Sequence, residues 1–108
     1  MSTSQSTADF IVDQLDSLAG VASRKMFGEY ALYYGGKVVA LICDDLLFVK
    51  ITEAGKAFVG ERYEEGYPYE GAKSALLIEE DYLQDKAWLS ELIELTAAAL
   101  PMPKKKKG

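Results

Sequence analysis

Histidine is absent from this 108-residue chain, and cysteine occurs once, at Cys43. The first absence removes the commonest metal ligand and the side chain that most often titrates near neutral pH, so histidine-based triads and histidine zinc sites are excluded. The second excludes an internal disulfide and any cysteine-rich metal framework. No apolar run approaches the ~18 residues that a membrane-spanning helix needs. Residues 1–7 carry neither the basic patch nor the apolar stretch of a secretory signal. These absences lead us to expect a cytoplasmic protein with no membrane contact. Positive charge is also scarce: 12 Lys and Arg against 17 Asp and Glu give a net charge of −5. The last four basic residues form the run Lys104, Lys105, Lys106 and Lys107. The rest of the chain is therefore more acidic still and repels a polyanion, which leaves that run as a weak nucleic-acid contact.

What is present is an ordinary globular composition, 49% hydrophobic and 27% charged, which a chain of this size folds as one domain. We expect that domain over residues 1–103, with a disordered start at 1–5 and a disordered lysine-rich tail at 104–108. Ser6-Thr7-Ala8-Asp9 matches a capping signal, and Ile11, Val12, Leu15 and Leu18 follow at helical spacing up to Gly20. Strands are expected at residues 21–27, 30–34, 37–43 and 46–51, because Gly28, Gly35-Gly36 and Asp44-Asp45 punctuate runs of β-formers. Leu47, Val49 and Ile51 share the face expected to meet the core, opposite Leu46, Phe48 and Lys50. Thr52 caps a short helix ending near Gly60, residues 61–73 read as a loop, and residues 74–79 as a last strand. A helix capped by Asp85 then carries Leu89, Leu92, Ile93, Thr96 and Leu100 on one stripe until Pro101. The order α-β-β-β-β-α-β-α describes a two-layer α+β domain, an antiparallel sheet of about five strands with three helices packed on it.

Arg24-Lys25-Met26-Phe27-Gly28, Tyr30-Ala31-Leu32-Tyr33, Gly36-Lys37-Val38-Val39 and Asp44-Asp45-Leu46-Leu47-Phe48-Val49-Lys50 together resemble the amino-terminal domain of the TfoX/Sxy regulators of bacterial natural competence. The likeness continues through Thr52-Glu53-Ala54-Gly55, the Tyr69-to-Lys73 loop and Trp88-Leu89-Ser90-Glu91-Leu92. Some relatives carry Gly where this chain has Glu29. The resemblance implies a sheet-and-helix topology similar to the type III secretion chaperones. It also implies a connection to competence-gene transcription, which the regulators perform together with the cyclic-AMP receptor protein and a second, helical domain. Because the likeness spans nearly the whole chain, a stand-alone member is expected. The resemblance brings no catalytic residue, metal or cofactor.

Four features carry chemistry. Cys43 is a potential nucleophile, but Asp44 and Asp45 beside it disfavour the thiolate, and packing accounts for it better. Asp44-Asp45 is a turn pair; neighbouring turn residues diverge, and no spaced set of oxygen ligands surrounds them. Arg24, sharing a strand face with Met26, is expected to be half-buried against an internal acid or helix-end carbonyls. Its alternative is to hold a small anionic ligand with Lys50 or Lys73. Tyr63, Tyr67 and Tyr69, with Lys73, either form an interaction surface or cover a sheet edge. Base stacking on these rings is disfavoured by Glu61, Glu64, Glu65 and Glu70 around them. The expectation is a non-enzymatic domain that binds protein partners, a second copy of itself among them, as a transcription-regulation adaptor. The alternative is an accessory protein for an anionic ligand or nucleic acid, using Arg24, Lys50 and the lysine run.

Overall fold

The computed structural model describes residues 3–101. The chain runs α1 (Gln5–Gln14), β1 (Ala22–Met26), β2 (Glu29–Tyr34), β3 (Lys37–Cys43), β4 (Leu46–Val49), α2 (Glu53–Val59), β5 (Glu65–Gly66), β6 (Ala75–Ile78), α3 (Glu80–Leu83) and α4 (Lys86–Ala99), with a 3-10 turn at Gly60–Arg62. One antiparallel six-stranded sheet has the order β1-β2-β3-β4-β6-β5. The α+β class and the antiparallel meander agree with the sequence reading. The two further elements lie in segments too short to show a period: β5 is two residues long and α3 is four.

Three two-residue turns build the meander. Phe27-Gly28 joins β1 to β2, Gly35-Gly36 joins β2 to β3, and Asp44-Asp45 joins β3 to β4, and all six residues have positive φ. That is the requirement of a type I′ turn, whose twist matches the flanking strands. A bulge at Leu32/Tyr33 shifts the register, with Leu32 opposite Ala40 and Tyr33 opposite Val38. Val39 is left without an opposite residue on β2 and turns into the core beside Ala40, both fully buried.

The helices cover one face of the sheet. Ile11 and Leu15 of the first helical segment meet Leu32, Ile42, Leu47, Val49, Leu76, Leu89, Leu92 and Ile93 in one core, all 0–1% exposed. Gln14 Nε2 donates to the Leu83 carbonyl at 2.7 Å, tying α1 to α3. Gly55 lets α2 lie close to α4, because a Cβ there would sit 3.5 Å from Leu92 Cδ1 and 3.0 Å from the capping Thr52 Oγ1. Lys37 Nζ donates to the Ala97 and Leu100 carbonyls and so closes the end of α4, a favourable place for a cation. Phe58, Tyr82 and Trp88 stack in a cluster, and Arg62 lies over the Tyr82 and Trp88 rings.

Two helix caps follow the sequence reading: Thr52 accepts from Gly55 N, and Asp85 accepts from Trp88 N. The first does not. The cap of α1 is Ser4, which accepts from Thr7 N, and Ser6 already lies inside the helix. Of the start expected to be disordered, residues 1–5, the structure describes Thr3, Ser4 and Gln5. Thr3 is buried and hydrogen-bonded to the sheet, and Gln5 opens α1; Met1 and Ser2 lie outside the described residues.

Candidate interaction surface

Strand alternation and the observed register place Arg24, Met26, Glu29, Ala31, Tyr33, Leu41, Cys43, Phe48, Ala75 and Leu77 on the sheet face opposite the helices. This face is apolar as well. Cys43, Phe48 and Ala75 are buried in a second, smaller cluster flanked by Leu41 and Leu77. The expectation for β4 therefore holds for Leu47 and Val49 but misses Phe48, which is buried on the other side. Phe48 is covered by β5 itself: a Cβ on Gly66 would lie 3.0 Å from its ring.

Only part of the face is covered. Toward β1 it opens as a groove of about 390 Å³, lined by Met26, Phe27, Glu29, Tyr30, Leu41, Cys43 and Tyr69. Met26 is 40% exposed, Tyr69 59% and Tyr67 69%, while Phe27 is fully exposed. Phe27 also adopts φ 51°, a left-handed conformation that is sterically costly for a bulky residue. A large apolar side chain thus stands in water on unfavourable backbone at the rim of an apolar groove.

Bonds from Thr3, Ser4, Thr7 and Glu29 to the motif residues Gly28, Asp44 and Asp45 hold that turn in place. Thr3 N donates to the Gly28 carbonyl at 3.0 Å. The Thr3 hydroxyl donates to Glu29 Oε1 at 2.6 Å and accepts from Asp45 N at 3.1 Å, and Glu29 Oε1 also accepts from Asp44 N at 3.1 Å. Asp45 Oδ1 accepts from Ser4 N at 3.0 Å and from the Thr7 hydroxyl at 2.9 Å. These bonds hold its carboxyl below the ordinary carboxylate range, the Ser4 backbone bond contributing most. Asp44 and Asp45 therefore act as turn residues that strap the start of α1 to the tips of two hairpins. Sequence reading missed the strap, because Thr3 and Glu29 lie 26 positions apart and carry no local signal for one another.

The remaining candidates separate. Tyr30 is buried in the helix-side core, and Gly36 serves its turn. Arg24 is exposed and lies 5.6 Å from the centre of the Tyr33 ring, which corrects the expectation of a half-buried guanidinium facing an internal acid. It sits on an edge strand whose outer side is left uncovered by the described residues, so its donors face water. Lys50 and Lys73 line a second groove with Phe48, Pro68 and Tyr69, whereas Arg24 stands on β1, with β2 and β3 between it and β4. Arg24 is thus set apart from both Lys50 and Lys73, either of which was expected to join it around an anion. Tyr63 is half-buried and donates to Glu65, and β5 pairs with β6 and closes the sheet. Within the tyrosine segment, then, Tyr63 is structural, and only Tyr67 and Tyr69 are exposed. Burial pushes the Cys43 thiol up, with the charges of Glu29 and Asp44 adding to it. Among the described residues no three potential ligand side chains gather for a metal ion, and no helix is long and apolar enough to cross a membrane. Lys104, Lys105, Lys106 and Lys107 lie outside the described residues.

The family model of the TfoX N-terminal domain matches residues 13–100, spanning β1 through α4. The chain belongs to the TfoX N-terminal domain family. It is also 43% identical to an uncharacterized 12.7 kDa protein in the trpE 5' region of Spirochaeta aurantia, over all of this chain and 92% of that relative. In this TfoX N-terminal domain the motif residues Met26, Phe27, Gly28, Asp44 and Asp45 form and fix the exposed end of the outer face.

Proposed function

We propose that this chain is a non-enzymatic protein-interaction domain, a cytoplasmic adaptor in transcription regulation, whose contact surface is the outer sheet face centred on Phe27. The observation that carries this reading is the full exposure of Phe27 on left-handed backbone beside an apolar groove. Strain held at one position with no packing in return is a signature of a residue kept for what it meets, and aromatic anchors dominate the energetics of protein contacts. Met26 and Tyr69 extend the apolar area around it. Membership of a family named for a competence regulator supports the regulatory side of the proposal. A raised thiol pKa at Cys43 makes its sulfur a poor nucleophile, which favours contact over catalysis.

The test is a photo-crosslinking amino acid placed at position 27 and, as a control, at the exposed Ala98 of α4. In growing cells, position 27 is expected to give discrete protein adducts that the control does not, and Tyr69→Ala is expected to weaken them. Equal labelling from both positions would overturn the reading.

A further inference from the structure

The outer face carries a projection and a recess side by side. Phe27 stands fully in solvent, and it forms the rim of the groove that it lines with Met26, Glu29, Tyr30, Leu41, Cys43 and Tyr69. A surface holding both is complementary to itself, because a two-fold rotation brings the projection of each copy to the recess of the other. The type I′ turn fixes the Phe27 backbone, and Thr3 holds its Gly28 carbonyl, so little ordering cost falls on association.

The charges fit the same operation. Arg24 lies on the β1 side of the groove; among the described residues the sole salt bridge joins Lys86 and Asp16, so its guanidinium has no carboxylate partner there. Tyr69 also lines the second groove with Phe48 of β4 and Ala75 of β6, away from β1, and exposed Glu70 follows it in sequence. A two-fold axis running along the strands, with the two outer faces opposed, exchanges these sides and sets Arg24 of each copy toward Glu70 of the other. Edge-to-edge pairing of β1 with its own copy is disfavoured by contrast, since it would crowd Arg24 and Lys25 against their equivalents.

Resting on the reading of this face as a contact surface, we propose that its occupant is a second copy of the chain, in a face-to-face two-fold dimer in which each Phe27 enters the partner's groove. The Phe27 rings supply the buried anchors, and the two Arg24–Glu70 pairs set the orientation. The net charge of −5 per copy opposes association, and salt near the physiological ~0.15 M screens that repulsion beyond about 8 Å.

Sedimentation equilibrium of the full chain at physiological salt tests this. The expected result is a mass twice the 11.9 kDa of one chain, reduced to one chain by Phe27→Asp, with the thermal transition of the isolated variant preserved because position 27 packs against nothing. Arg24→Glu is expected to weaken the dimer by about tenfold or more, and the double variant Arg24→Glu/Glu70→Arg to restore it. A single-chain mass at every concentration, a dimer that Phe27→Asp leaves intact, or a double variant no better than Arg24→Glu would overturn the proposal. A single-chain mass combined with discrete adducts of other proteins from position 27 would remove the second copy and keep the contact surface.

Discussion

Thr3 donates a 2.6 Å hydrogen bond to Glu29 Oε1, and that oxygen also accepts from the Asp44 amide. The start of the chain is thereby fastened to the tips of two hairpins, and the Phe27-Gly28 turn is fastened with them through the Thr3 amide. Thr3 is buried, so removing its hydroxyl leaves the Glu29 carboxylate and the Asp45 amide short of a partner. Thr3→Val is expected to cost about 1–2 kcal/mol in denaturant unfolding, with Thr3→Ser retaining most of the stability. Equal stability of the Val variant and the parent would remove the strap from the account.

Asp45 makes folding sensitive to acid. Its carboxyl is held low in the folded state by the Ser4 amide and then the Thr7 hydroxyl. The folded state thus binds that proton less readily than the unfolded chain. The stability it contributes is present above the ordinary carboxylate range and is lost as pH falls through and below it. In Asp45→Asn the thermal midpoint is expected to be lower at neutral pH and to fall less on acidification. Parallel acid limbs in parent and variant would contradict this.

Phe27 is expected to reduce the stability of the isolated chain. Its backbone sits where glycine is preferred, and its fully exposed ring contributes no packing. Phe27→Gly should therefore stabilise the isolated fold by about 0.5–1 kcal/mol, read from the denaturant midpoint under dilute conditions. A loss of stability would mean that the ring is packed after all.

Thr96 offers an independent check on the core. Its side chain is fully buried, and Oγ1 has no hydrogen-bond partner among the described residues. Thr96→Val keeps the shape and removes the unpaired hydroxyl, so it is expected to stabilise the domain by about 1 kcal/mol. A destabilised variant would place a bonding partner at that hydroxyl.

The meander was legible because its turns are written locally: Gly35-Gly36 and Asp44-Asp45 announce positive φ between runs of β-formers. The Thr52 and Asp85 caps were legible for the same reason, since each bonds three residues ahead. Phe27 was not recognised as a turn residue, because a phenylalanine gives no signal for left-handed backbone and only the Gly28 beside it hinted at a break. The second apolar face escaped because β4 alternates correctly for one core, and nothing in LLFV says that Phe48 will be covered by a distant glycine. Arg24 was misplaced because burial of an edge strand depends on what lies across it. What locates the candidate surface, a groove edged by Met26, Phe27 and Tyr69, joins segments that only folding brings together.

The central claim is that Phe27 is exposed in the isolated chain and covered when the protein is at work. Fluorine-labelled phenylalanine at position 27 reports this directly, since its resonance responds to solvent contact and to the tumbling of whatever it joins. A narrow, solvent-exposed signal is expected from the dilute purified chain and a displaced, broadened one from the same protein inside cells. The same narrow signal in both would contradict the claim.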